Sequence, residues 1–99
     1  MTTKEEARNY LRDAAPEQCF WVNNGPILKG IEELANTLPD MANETYRHHV
    51  NSEKNDFSKW ISEVIGDTKL SNELISSRSR ESALKKIRNR LNSLKKKAG

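Results

Sequence analysis

Five apolar residues recur at helical spacing between residues 57 and 65. They are Phe57, Trp60, Ile61, Val64 and Ile65, which share one face of an α-helix. Gly66 follows where a helix end favours a left-handed residue, and Asn55 stands where an N-cap belongs. A stripe this wide has to be buried, so the sequence predicts a helical domain whose core forms around this segment.

Shorter patterns predict further helices on both sides of this one. Thr-x-x-Glu capping patterns open a first helix that ends before Pro16. A second helix starts at Ile31 and stops at Pro39, and Asp40 is expected to cap a third. Asp67 and Ser79 are expected to cap two more, with Leu70, Leu74 and Ile75 on the apolar face of the first of these. The predicted fold class is a mostly α compact bundle of five to six short helices.

A β-hairpin is predicted near residues 19–28. The run Cys-Phe-Trp-Val is aromatic and β-branched, and Asn23, Asn24, Gly25 and Pro26 follow it before apolar residues resume. Neighbouring strand residues face opposite sides, so Phe20 and Trp21 cannot both be buried in the same way. Whichever of the two is exposed is a predicted partner contact.

Basic residues are concentrated at the C-terminal end. Residues 1–77 carry 8 basic and 13 acidic side chains, whereas residues 78–99 carry 9 basic and 1 acidic, giving net charges of −5 and +8. A chain of 99 residues is short enough to form one core. We therefore expect a single domain, in which an acidic helical body with the hairpin (1–77) carries a basic amphipathic C-terminal helix (78–99).

Several function classes find no support in the sequence. The single cysteine, Cys19, cannot close an intramolecular disulfide, and no secretory signal or membrane-spanning run is present. These features predict a cytoplasmic protein with no membrane partner. Glycine-rich phosphate-binding and dinucleotide-binding motifs are also missing, and no serine has a positioned base. We expect a non-enzymatic binding module without catalytic residues or a cofactor.

Histidines, a carboxylate and a thiol invite a metal-site hypothesis, but their spacing opposes it. His48 and His49 are adjacent, so their side chains point about 100° apart on a helix and cannot face one ion. No Cys-x-x-Cys or His-x-x-x-His pattern occurs. We expect no metal and interpret His49, Asn55 and Asp56 as a structural corner held by hydrogen bonds to nearby backbone groups.

Three stretches between about residues 19 and 76 together form a recognisable pattern: FWVNNGPILKGIEELANTL, YRHHVNSEKNDFSKWISEVIGD and LSNEL. They combine an aromatic strand, a His-Val-Asn corner and an Asn-Asp-Phe-x-x-Trp helix that ends in Gly-Asp. In this pattern the chain resembles a family of small uncharacterised helical domains from archaeal and bacterial genomes. The resemblance implies a shared fold and leaves out the basic tail. It implies no activity and no site residues.

The last helix supports two functional hypotheses. Its cations could contact phosphates of DNA or RNA without sequence preference; they are Lys85, Lys86, Arg88, Arg90, Lys95, Lys96 and Lys97. Alternatively, an apolar seam could pair with another copy or an acidic protein, together with Trp21; its residues are Leu84, Ile87, Leu91 and Leu94. A third interpretation is a docked helix with solvated lysines. The sequence leaves open whether the helix packs on the body or extends from it.

Overall fold

The computed structural model describes residues 2–99, and helices dominate it. Six α-helices occur in this range: α1 Lys4–Tyr10, α2 Ile31–Thr37, α3 Asn43–His49, α4 Asp56–Trp60, α5 Thr68–Ile75 and α6 Arg80–Ala98. Short 3-10 turns span Pro16–Gln18 and Leu38–Asp40, and strands β1 (Phe20–Trp21) and β2 (Ile27–Leu28) form an antiparallel hairpin. The predicted mostly helical fold and the hairpin near residues 19–28 are confirmed. No helix in the described range is long and apolar enough to cross a membrane.

The longest helix, α6, packs on the body of the domain. It contacts α1, α2, α5 and the Leu38–Asp40 turn. Its buried face carries Ile87, Leu91 and Leu94, which belong to the same apolar cluster as Leu34 and Ile61. The question left open by the sequence is therefore answered, because α6 is docked and completes the core.

Polar caps fix where the helices begin, largely as predicted. Thr3 and Glu6 form a reciprocal capping box on α1. Asn55 and Ser79 accept hydrogen bonds from the third residues of α4 and α6, at 2.9 Å and 3.0 Å. Asp67 does the same for α5. These bonds satisfy amides that have no partner inside their own helices.

A wide π turn follows α4 and changes which residues are buried. It spans Ile61–Ile65 and ends where the Gly66 N–H donates to the Ile61 carbonyl at 2.7 Å, with Gly66 at a φ of 90°. The extra residue in the turn rotates the later side chains relative to the α-helical stripe. Phe57, Trp60 and Ile61 are buried as predicted, whereas Val64 and Ile65 are only half-buried.

Two local predictions are wrong. Asp40 does not cap α3, because it lies in the preceding 3-10 turn and the N-cap is Ala42, which makes no side-chain capping bond. Ile75 was expected on the apolar face of α5, but it is 65% exposed at the end of that helix. The core on this side is closed by Leu70 and Leu74 instead.

Candidate nucleic-acid interface on the final helix

The sequence of α6 suits a helix that ends in positive charge. Glu81 lies in the first turn, where the helix dipole favours an anion, and Lys95, Lys96 and Lys97 lie in the last turn, where it favours cations. No acidic residue follows Glu81 in the chain. The helix therefore presents a positive surface along most of its length.

The solvent face of α6 carries one continuous stripe of polar side chains. Lys85, Arg88, Asn92 and Lys96 are exposed and follow one another at spacings of three, four and four residues. We call these four residues the α6 stripe. At a rise of about 1.5 Å per residue, the stripe is about 16 Å long. Within residues 2–99, Lys85, Arg88 and Lys96 form no ion pair.

Three other predicted cations lie beside the stripe. Lys95 forms an ion pair with Glu32 of α2. Lys86 donates to the Glu73 carbonyl at 3.2 Å and to Ser76 Oγ at 3.1 Å, at the end of α5. Lys97 lines a separate cleft between α6 and α1. Lys86 and Lys95 thus already have partners in the domain, although the Lys95 pair is exposed and readily exchanged.

Arg90 is not available to a phosphate, which corrects its place among the predicted contacts. Its side chain is buried, with 6% exposed, and the partner Asp67 is 1% exposed. Arg90 Nε donates to Asp67 Oδ2 at 2.7 Å and Nη2 donates to Asp67 Oδ1 at 3.0 Å. A second bond from Nη2 reaches Thr2 Oγ1 at 3.2 Å. Arg90 therefore joins α6 to the start of α5 and to the N-terminal segment.

The predicted seam is divided between the core and the surface. Ile87, Leu91 and Leu94 are buried in the domain, so in this structure they cannot pair with a second protein. Leu84 is half-buried against the same cluster. These three residues thus contact the body of their own domain, as in the interpretation of a docked helix.

Trp21 is the exposed member of the aromatic pair in β1. Its side chain is 71% exposed and faces Ile27 across the hairpin, whereas Phe20 is buried. Phe20 packs on Phe57 with ring centroids 4.8 Å apart. The alternation expected for a strand is thus observed, and Trp21 with Ile27 forms a small apolar patch on the surface.

The His49 corner is packed and fully hydrogen-bonded. The Asn23 N–H donates to His49 Nε2 at 3.0 Å, and His49 Nδ1 lies 3.0 Å from Asp56 Oδ2. The acceptor at Nε2 requires the neutral tautomer with its proton on Nδ1. Neither ring nitrogen is left to hold a metal or a substrate. No group of three potential metal ligands occurs in the part of the chain that the structure describes.

Replacing His49 with alanine is expected to destabilise the fold by about 2–4 kcal/mol. The change removes the acceptor of the part-buried bond from the Asn23 N–H and opens a cavity against Phe20 and Phe57. Urea unfolding of the variant measures the loss. The matched control is His48→Ala, because His48 is exposed and adjacent, and we expect a change of at most about 0.5 kcal/mol there. Equal losses in the two variants would contradict a structural role for His49.

Asp56 should stabilise the folded state at neutral pH and lose this contribution in acid. Burial alone would raise the pKa of Asp56, but bonds from His49 and Lys54 outweigh it and hold the pKa below its ordinary 3.8. A lowered pKa stabilises the folded state above the unfolded value, and this contribution disappears as the pH falls through the folded pKa. The stability difference between wild type and Asp56→Asn, measured by urea unfolding, should therefore close below about pH 3.8. A difference that is constant with pH would rule this out.

A second cluster of cations was not predicted. Arg47 of α3 lies across a cleft from Arg78 and Arg80, which precede and begin α6. The sequence gives no direct signal for this cluster, since Arg47 is about 30 residues away from the other two. Only the serines around Arg78, which are Ser76, Ser77 and Ser79, mark the segment as polar.

The fold and these surfaces define a class: a small helical domain closed by a docked basic C-terminal helix. Comparison with family models, with curated proteins and with solved structures gives no match. The resemblance to uncharacterised archaeal and bacterial domains therefore stays a prediction.

Proposed function

We propose that this protein is a non-enzymatic binding module that contacts the phosphate backbone of nucleic acid through the exposed cations of α6. The observation that supports the proposal is the α6 stripe, in which Lys85, Arg88 and Lys96 point to solvent without ion-pair partners among residues 2–99. Lys95, Lys86 and Lys97 extend the positive surface on either side. Arg90, which is buried, is left out of the proposed interface.

The stripe suits backbone contact more than base recognition. A docked helix holds its cations at fixed spacing, and the three exposed cations of the stripe can neutralise about three phosphates. Lysine and arginine that neutralise phosphates release counterions, which gives affinity without sequence preference. We place this activity in the cytoplasm, for which the single thiol of Cys19 is the supporting feature.

A titration with labelled random-sequence DNA tests the proposal. The full chain is titrated with a duplex and with a single strand of equal length at about 50 and about 200 mM salt. We expect micromolar binding at low salt that weakens at least tenfold at the higher salt. The reason is that cations of the salt compete with the protein for about three phosphates. An absence of binding at low salt, or binding that salt does not weaken, would contradict the proposal.

The alternative is a protein-interaction module that uses the apolar patch of Trp21 and Ile27. A tryptophan that is 71% exposed is the specific observation in its favour, since aromatic residues are enriched at interfaces. The buried α6 seam no longer contributes to this hypothesis. Sedimentation of the protein over a range of concentrations tests whether the patch pairs two copies of this chain. A constant monomer mass at high concentration would eliminate self-association.

A further inference from the structure

A polar cleft lies between α3 and the start of α6, at the end of α6 that precedes the stripe. It has a volume of about 660 Å³. The α3 side is formed by Asn43, Tyr46, Arg47 and Val50, which share one helical face. The opposite wall is the segment 77–81, which comprises the end of the link from α5 and the first two residues of α6.

The lining of this cleft is positively charged. Arg47, Arg78 and Arg80 face one carboxylate, that of Glu81. Arg80 is anchored, because it donates to the Met41 carbonyl and its Nη2 lies 3.4 Å from Glu81 Oε1. Arg47 and Arg78 are exposed, and their guanidinium groups donate no hydrogen bond to any residue from 2 to 99. Two guanidinium groups on opposite walls are therefore free to turn toward a shared anion.

The Tyr46 hydroxyl is a donor that lines the cleft at the end of a largely buried side chain. Only 7% of the Tyr46 side chain is exposed, and its ring packs on Phe57. Its hydroxyl makes no hydrogen bond within residues 2–99, and since no fully buried side-chain polar atom in that range lacks a partner, the hydroxyl is accessible to solvent. Burial, with a smaller effect of the nearby Glu81 charge, raises the pKa of Tyr46, so the hydroxyl keeps its proton. The hydroxyl can therefore donate to an anion that enters the cleft.

The start of α6 adds donors to the same wall. Arg80 and Glu81 are the first two residues of this 19-residue helix, so their backbone N–H groups have no acceptor within it. Within residues 2–99, the Ser79 side chain accepts a hydrogen bond only from the N–H of Ser82. Backbone amides of a helix start favour an anion, and the dipole of a long helix reinforces this preference.

We infer that this cleft binds a dianionic phosphate group, either free phosphate or a phosphomonoester, between Arg47 and Arg78 with the Tyr46 hydroxyl as a further donor. Phosphate suits the site because its oxygens accept paired bonds from guanidinium groups and from several other donors at once. A monoester also suits the volume, which exceeds the space that one phosphate group needs and lies in the range of small-molecule sites. This inference goes beyond the proposed function and involves none of the α6 stripe.

Titration of the ¹⁵N-labelled full chain with inorganic phosphate tests the site by NMR, with sodium chloride added at equal ionic strength as the reference. We expect the side-chain N–H signals of Arg47 and Arg78 and the amides of Arg80 and Glu81 to shift in a saturable way. Ribose 5-phosphate, titrated in the same way, distinguishes the two sources: tighter binding than phosphate indicates a monoester ligand, and weaker binding indicates the free anion.

Matched variants separate this site from general attraction to a basic protein. Arg47→Gln with Arg78→Gln should weaken phosphate binding at least tenfold, and Tyr46→Phe should weaken it about threefold without changing the melting temperature, because the hydroxyl makes no hydrogen bond to any residue from 2 to 99. Arg12→Gln with Lys59→Gln removes the same charge from exposed positions outside both surfaces and should leave phosphate binding unchanged. Equal weakening in both double variants, or no saturable shift at the cleft, would overturn the inference. DNA binding by the Arg47 and Arg78 variant tests the proposed function separately.

Discussion

Replacing Arg90 with methionine is expected to destabilise the domain by about 3–5 kcal/mol, a large share of the stability of a domain this small. Asp67 is buried with 1% of its surface exposed, and both of its oxygens accept bonds from Arg90. Methionine fills a similar volume, so the loss reports mainly on the buried carboxylate left without its partner.

A double-mutant cycle isolates the ion pair. Asp67→Asn keeps an oxygen that can cap α5 at Leu70, so it removes the charge without removing the cap. We expect the double variant to be less destabilised than the sum of the two single changes, because neither charge is then buried alone. Urea unfolding of the four proteins measures this coupling free energy.

The exposed neighbour Arg88 provides the control for the cycle. Arg88→Met removes the same charge from α6 two residues earlier, and it should change stability by at most about 0.5 kcal/mol. If Arg90→Met costs no more than Arg88→Met, the buried pair does not stabilise the fold as we infer.

The burial of Arg90 shows how far a charge pattern can mislead. The sequence treats Arg90 as one of seven equivalent cations, although it lies three residues after Ile87 and four before Leu94. Those spacings place it on the apolar face of the helix, so the signal was present. What the sequence could not supply is the partner, because Asp67 lies 23 positions away and is brought close only by the packing of α5 against α6.

Most features that depend on neighbouring residues were predictable, with the cap at Asp40 as an exception. The Asn55, Asp67 and Ser79 caps, the left-handed Gly66 and the alternation of Phe20 and Trp21 each follow from chemistry within a few positions. This is why the helical fold class and the hairpin could be predicted correctly.

Features that depend on tertiary packing were not predictable. The π turn replaces an α-helical turn without a proline or an inserted glycine to announce it, and it leaves Val64 half-buried. The cleft between α3 and α6 unites Arg47 with Arg78 only after the chain has folded. The docking of α6 likewise decides which of its cations are exposed. It therefore also decides which residues form the candidate interface.

Neutralising the α6 stripe is expected to weaken DNA binding about 100-fold at low salt while leaving the fold intact. The variant carries Lys85→Gln, Arg88→Gln and Lys96→Gln. All three side chains are exposed and outside every ion pair found in residues 2–99, so their loss removes phosphate contacts and no internal bond. Log affinity falls with log salt, and each lost contact makes this slope shallower by about 0.9. The steepness of the slope should therefore decrease by about 2 to 3.

The control for the stripe has to carry the same net charge, because any basic protein attracts a polyanion at low salt. Arg12→Gln, Lys29→Gln and Lys59→Gln also remove three exposed positive charges, but from the body of the domain. If DNA binding depends only on net charge, the two triple variants should bind equally weakly. If it depends on a defined interface, only the stripe variant should bind weakly. A truncation before α6 cannot replace this comparison, since the helix supplies Ile87, Leu91 and Leu94 to the core and its removal would expose that core. Equal weakening, with both variants shown to be folded by circular dichroism, would refute the α6 stripe as the binding surface.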